Sequence, residues 1–123
     1  MTQAETLIAL ADRVEAAEAG EQHAIVVKAL EALCIAKAIT YGQQATMLRY
    51  LSAHAFLDAA VSLVPEGWAW MAGCAPGDGF FATLAPTDES GIEADDVDTN
   101  AATAALALTA AAIRARAASL GEG

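Results

Sequence analysis

The sequence predicts an α+β domain in which a small antiparallel hairpin or sheet packs against several α-helices. Three observations predict it. Several segments carry apolar residues at helical spacing, two short apolar segments flank a turn rich in Gly and Pro, and 123 residues are the length of one domain. The chain is 56% hydrophobic, which excludes a disordered chain. We expect a single domain over residues 1–123, with N-terminal helices in 1–42 and a helix–hairpin–helix unit in 52–120.

The first predicted helix begins at a capping box formed by Thr2 and Glu5, in which each side chain accepts a hydrogen bond from the other residue's backbone N–H. Apolar residues then recur at helical spacing. Gly20 is predicted to end the helix, because glycine adopts the left-handed conformation of a helix C-terminus without strain.

The second predicted helix spans residues 21–40 and ends at Tyr41 and Gly42. Its wide apolar face predicts contact on two sides, so the helix lies either at the centre of the domain or at a homodimer interface. A homodimer interface would include Val27, Leu30 and Ile35.

Residues 43–51 fit either a short helix or an extended segment. Ser52 is the predicted N-cap of a third helix. That helix ends before Pro65, because proline cannot continue a helix comfortably.

Two strands are predicted at 68–71 and 80–84, joined by a turn containing Gly73, Pro76, Gly77, Asp78 and Gly79. Trp68 and Trp70 share one face of the first strand. We expect both in the core beneath the last helix, with a binding platform as the alternative.

A final Ala-rich helix is predicted up to about Leu120, capped by Thr99 or Asn100 and followed by a frayed end at Gly121 and Gly123. Its larger residues are spaced to pack on the hairpin. They are Leu106, Leu108 and Ile113.

Residues 86–99 are predicted to form an acidic loop without a basic residue. An EF-hand needs a glycine and alternating ligands, which this loop lacks, so we expect a solvated loop and no metal. A dense set of carboxylates can also imitate nucleic-acid phosphates and occupy a basic groove on a host protein. The candidate partner-binding residues are Asp88, Glu89, Glu93, Asp95, Asp96 and Asp98.

The residues give little support for catalytic or cofactor chemistry. His23 and His54 belong to no catalytic pattern, so we expect no catalytic residue, no cofactor and no enzyme activity. Cys34 and Cys74 are expected to be free, buried thiols in a reducing compartment.

The net charge of −10 disfavours direct nucleic-acid binding. The sequence shows neither a signal peptide nor a membrane-length apolar segment, so we expect a cytoplasmic protein that binds no membrane.

Three segments carry a resemblance to a known group. They are Ser62-Leu-Val-Pro-Glu-Gly-Trp-Ala-Trp70, the Ala-rich segment 101–116 and the opening 10–17. In these the chain resembles a group of uncharacterised bacteriophage and prophage proteins with a short helix ending in LVPEGW. More distantly it resembles the phage α–β–α sandwich domain. The chain departs from the pattern between Glu21 and Tyr50.

The resemblance implies a phage or prophage accessory gene, and the Ala bias suggests a high-GC bacterium. It supplies no catalytic residues. We therefore expect a non-enzymatic protein that binds another protein, in its most concrete form an acidic inhibitor of a host defence system. The alternative is a structural or assembly homo-oligomer.

Overall fold

The computed structural model describes residues 2–77 and 79–121. Within them lie five α-helices and one three-stranded antiparallel sheet, which confirms the α+β prediction. The helices are α1 (Gln3–Ala16), α2 (Gln22–Ile35), α3 (Tyr41–Ser52), α4 (Phe56–Leu63) and α5 (Ala104–Gly121). The strands are β1 (Trp68–Ala75), β2 (Gly79–Pro86) and β3 (Val97–Ala101), in the order β1-β2-β3. Asp78 of the predicted turn and Gly123 lie outside the described residues.

Helix α1 begins at the predicted capping box. The Glu5 backbone N–H donates to Thr2 Oγ1 at 3.1 Å, and the Thr2 N–H donates to Glu5 Oε1 at 3.3 Å. The helix ends at Ala16, before the predicted stop at Gly20.

Helix α2 ends five residues before the predicted boundary at position 40, so the prediction is wrong over residues 36–40. The N–H of Ala38 donates to the Leu33 carbonyl at 2.9 Å, and the N–H of Lys37 donates to the Cys34 carbonyl at 3.1 Å. This pair of bonds is a Schellman motif, which requires a left-handed residue, and here Lys37 supplies it with φ +55°. A lysine gives no sequence signal for such an end.

Helix α3 settles the two alternatives for residues 43–51 in favour of a helix. Thr40 and Gln43 form a second capping box, with N–H to side-chain oxygen distances of 3.1 and 2.8 Å. Ser52 is the last residue of α3 and its hydroxyl donates to the Leu48 carbonyl, so its predicted role as an N-cap is wrong.

Helix α4 begins at Phe56, after a corner at His54, and ends before Pro65 as predicted. The corner is another Schellman motif. Ala55 N–H donates to the Tyr50 carbonyl at 2.9 Å, His54 N–H donates to the Leu51 carbonyl at 3.0 Å, and His54 has φ +55°.

The third strand was not predicted. Residues 97–99 were expected in the acidic loop, but they belong to β3, which pairs with β2 with Thr83 opposite Asp98. Thr99 is buried in β3 and its hydroxyl donates to the Ala107 carbonyl at 2.6 Å. Thr103 caps α5 instead, accepting from the Leu106 N–H at 3.1 Å, so the predicted cap at Thr99 or Asn100 is wrong.

The core lies on two sides of α5, whose residues 105–113 are all buried. Leu106, Ala110 and Ile113 pack among apolar residues of α1, α2 and α4. Ala107, Leu108 and Ala111 pack among residues of the sheet. The expected packing on the hairpin is therefore right for Leu108 and wrong for Leu106 and Ile113.

Arg116 joins α5 to the ends of two other helices. Its Nε donates to the Leu63 carbonyl at 2.8 Å, at the C-terminus of α4, and one Nη donates to the Ala38 carbonyl at 2.7 Å, just beyond α2. Positive charge is favoured at helix C-termini, where carbonyls lack partners. Burial lowers the pKa of this guanidinium.

We expect Arg116→Met to lower the free energy of unfolding by about 2 kcal/mol. The variant keeps an apolar side chain of similar length and removes both charge-assisted hydrogen bonds, which contribute ~1.5–3 kcal/mol each before the desolvation of the charge is offset. Arg49→Met, at an exposed position on α3, is the control and should change stability by less than about 0.5 kcal/mol. Urea denaturation measures both, and equal stability of the Arg116 variant and the wild type would contradict the role given to this residue.

Candidate protein-binding surface

The six predicted partner-binding carboxylates lie in one stretch, residues 88–98, which we call the acidic segment. It leaves β2, forms a short 3-10 turn over Asp88–Ser90, and enters β3 at Val97. All six side chains are exposed, namely Asp88, Glu89, Glu93, Asp95, Asp96 and Asp98. The acidic segment therefore presents its carboxylates to solvent, close along the chain and joined to the sheet at both ends.

Gly67 anchors the start of the acidic segment. Its carbonyl accepts from the Thr87 N–H at 2.8 Å and from the Thr87 hydroxyl at 3.1 Å. Gly67 has φ +89°, and a Cβ at this position would lie 2.9 Å from Ile92 Cδ1 and 3.0 Å from Ser90 Cβ. Only glycine allows the turn before β1 to approach the segment this closely.

Hydrogen bonds within the acidic segment fix its first turn. The Ser90 hydroxyl donates to the Thr87 carbonyl at 2.7 Å and accepts from the Ile92 N–H at 3.1 Å. Gly91 takes a left-handed conformation with φ +73°. The sequence did not indicate the roles of Gly67 and Ser90.

Asp98 lies on the sheet face opposite to α5. Its Oδ1 accepts from the Thr83 hydroxyl at 2.7 Å. Met71 is paired with Thr83 on the same face and is 57% exposed. The acidic segment thus ends beside a sheet surface that is open to solvent here.

Few cations lie near the acidic segment. The sequence contains no Lys or Arg between Arg49 and Arg114. Arg114 forms ion pairs with Asp12 and Glu15 of α1, and its Nε donates to Glu15 Oε2 at 3.2 Å. Burial acts to lower the pKa of Arg114, but the hydrogen bonds and charges of both carboxylates outweigh it and raise the pKa. Arg114 therefore connects α5 to α1 through these ion pairs.

The tryptophans of β1 differ from one another. Trp68 is 8% exposed and belongs to the core, as predicted, whereas Trp70 is 43% exposed, so its predicted core position is wrong. Both side chains lie on the α5 face of the sheet, but β1 is an edge strand and Trp70 extends beyond the covered area. The alternative prediction, a binding platform, therefore remains a prediction for Trp70 alone.

The thiols are free, as predicted, but Cys74 is exposed rather than buried. It lies on the edge strand β1, which explains its exposure. Cys34 on α2 is partly buried, and desolvation raises the pKa of its thiol.

A second surface lies where α1 and α2 meet. A groove of about 240 Å³ is lined by apolar and uncharged residues that include Leu7, Ala32 and Ile35. Ile35 is 80% exposed, but Leu30 is only 4% exposed and packs in the core, so Leu30 is wrongly placed in the predicted homodimer interface.

The two histidines lie next to each other, which the sequence did not indicate. In the described part of the chain, no three His, Cys, Asp or Glu side chains are grouped so that they could hold a metal ion. No helix among residues 2–77 and 79–121 has the length and apolar character needed to cross a membrane.

Comparison of the chain with protein-family models, curated proteins and solved structures finds no match.

We expect Gly67→Ala to lower the free energy of unfolding by about 2 kcal/mol, because a Cβ adds left-handed strain and displaces Ile92. Amide hydrogen exchange at residues 87–92 should rise as the acidic segment loses its anchor. Gly91→Ala introduces left-handed strain but no close contact for the new Cβ. It should lower the free energy of unfolding by about 1 kcal/mol. A Cβ at Gly20 has no atom nearby, so Gly20→Ala should change the free energy of unfolding by less than about 0.5 kcal/mol. If Gly67→Ala resembled Gly91→Ala in both measurements, the close approach would not hold the segment.

Proposed function

We propose that this chain is a non-enzymatic accessory protein of phage or prophage origin that acts by binding another protein. The observation that carries the proposal is the acidic segment, in which six exposed carboxylates lie between a hydrogen-bonded turn at residues 87–92 and the strand β3. The resemblance of the LVPEGW segment supports the phage origin. The most specific form of the proposal is an acidic inhibitor of a host defence system.

The hydrogen-bonded turn matters because ordering a mobile loop on binding costs free energy. Anchoring at Gly67 and the Ser90 hydrogen bonds restrict the segment before it meets a partner. A set of exposed carboxylates on a chain of net charge −10 steers the approach of a basic surface. The same charge repels nucleic acid, so the expected partner is a protein with a basic groove.

The proposal puts the protein in the cytoplasm of its bacterial host. The free thiols Cys34 and Cys74 would stay reduced there. No membrane contact and no cofactor are part of the proposed activity.

Charge neutralisation in the acidic segment tests the proposal. The variant Glu93→Gln/Asp95→Asn/Asp96→Asn changes the net charge from −10 to −7 (−10 + 3) at exposed positions. A partner is first captured from host lysate at low salt by the wild type, then purified. We expect the variant to associate with it about three- to tenfold more slowly, with a flatter dependence of the association rate on salt.

A matched variant separates the segment from overall charge. Glu18→Gln/Glu31→Gln/Asp58→Asn removes the same charge from exposed positions on other elements. It should change the association rate by less than about twofold. Equal slowing by both variants would mean that net charge alone acts, and unchanged binding by the first would refute the proposed contact surface.

A homo-oligomer with a structural or assembly role is the second candidate, and the edge strand β1 favours it. Its eight residues, Trp68–Ala75, carry no charge, and β1 is paired on one side by β2. An uncharged edge strand of this length readily pairs with another strand. A second copy of β1 could pair with it in antiparallel orientation.

Sedimentation equilibrium at high protein concentration distinguishes the two candidates. If β1 forms the homodimer, Met71→Lys should yield a monomer, because the lysine adds a charge to the edge strand. Ile35→Lys tests the groove between α1 and α2 in the same way. A wild type that is monomeric throughout would eliminate the second candidate.

A further inference from the structure

The only two histidines of the chain lie side by side on the surface, although they come from different elements. His23 is in the first turn of α2, and His54 is at the corner between α3 and α4. Their ring centroids are 5.4 Å apart and their planes are inclined by 33°. Both side chains are exposed, so solvent species reach the imidazole rings.

The backbone places His54 there by an unfavourable local conformation. His54 has φ +55° at the left-handed position of a Schellman motif, where glycine is the usual residue. A histidine at this position carries strain that a glycine would avoid. Strain of this kind is a reason to look for a role of the side chain.

Phe56 holds the two rings together. Its ring meets both imidazoles edge to face, with centroids 5.8 Å from each and planes inclined by 81° and 85°. Phe56 is partly buried and packs on the core, so it gives the pair a fixed support on one side. The two exposed imidazoles are accessible to a ligand.

The spacing of the rings fits two imidazoles on one metal ion. A zinc–nitrogen bond is ~2.0–2.1 Å, and the ring centroid lies roughly 1.1 Å beyond the nitrogen, so two imidazoles at a tetrahedral angle have centroids about 5.2 Å apart. The observed 5.4 Å agrees with that value. We propose that His23 and His54 together bind one divalent transition-metal ion of the Zn²⁺ or Ni²⁺ class, with water as the remaining ligands.

The ligand chemistry favours this class of ion. Neutral imidazole suits Zn²⁺, Ni²⁺ and Cu²⁺, whereas Mg²⁺ and Ca²⁺ prefer oxygen ligands. The net charge of −10 raises the local concentration of cations around the chain. His23 and His54 are distant in sequence, so the unfolded chain does not offer the site, and a bound ion connects α2 to the α3–α4 corner. The ion thus stabilises the folded state.

Titration calorimetry of the full chain with Zn²⁺ and with Ni²⁺ tests the site. The buffer has pH 7.5 and ~150 mM salt, which screens weak binding to exposed carboxylates. We expect one ion per chain with a micromolar dissociation constant. Both His23→Gln and His54→Gly should weaken binding by at least about tenfold.

His54→Gly makes the test independent of a folding defect, because glycine relieves the left-handed strain. The metal-free variant should melt at or above the temperature of the wild type. Addition of Zn²⁺ should raise the melting temperature of the wild type and not that of the variant. No binding by the wild type, or equal binding by the wild type and His54→Gly, would overturn the proposal. So would loss of binding in Glu93→Gln/Asp95→Asn/Asp96→Asn, which would assign the ion to the acidic segment.

Discussion

The burial of α5 on two sides is the constraint on which the rest of the structure depends. One face packs among α1, α2 and α4 and the other among the strands, so both halves of the core share this helix. Alanine makes the arrangement possible, since its small side chain favours helix and lets neighbouring elements approach closely. The larger Leu106 and Ile113 fill the helical side, and Leu108 fills the sheet side. A helix with bulkier residues all round would separate the two layers.

Buried polar side chains connect α5 to its neighbouring elements by hydrogen bonds. The Thr99 hydroxyl donates from β3 to the Ala107 carbonyl, and Arg116 donates to a carbonyl at the end of α4 and to one just beyond α2. These bonds are worth more than similar bonds at the surface, because their carbonyl acceptors have little access to water. Together they fix the sheet on one side of α5 and the short helices on the other.

The acidic segment and the histidine pair depend on the fold in similar ways but share no residue. Gly67, which directly precedes β1, holds the acidic segment through its carbonyl, which accepts a hydrogen bond from Thr87. His54 meets His23 because α3 ends in a left-handed residue and Phe56 anchors the corner. In both cases a local backbone conformation determines where exposed polar side chains stand. The two proposals assign them different partners, because carboxylates suit a basic protein surface and imidazoles suit a transition-metal ion.

The sequence by itself determined the elements whose signals are local. The capping box of Thr2, the helix end before Pro65, the hairpin and the Ala-rich last helix all depend on neighbouring residues. Tertiary structure decided what local patterns do not contain. Lys37 and His54 end helices without glycine, because the Schellman bonds and packing outweigh the left-handed strain. Residues 97–99 form a strand only because β2 pairs with them and Thr99 bonds to α5. The six carboxylates were visible in the sequence, but their anchor at Gly67 and the meeting of the histidines arise from contacts between distant segments.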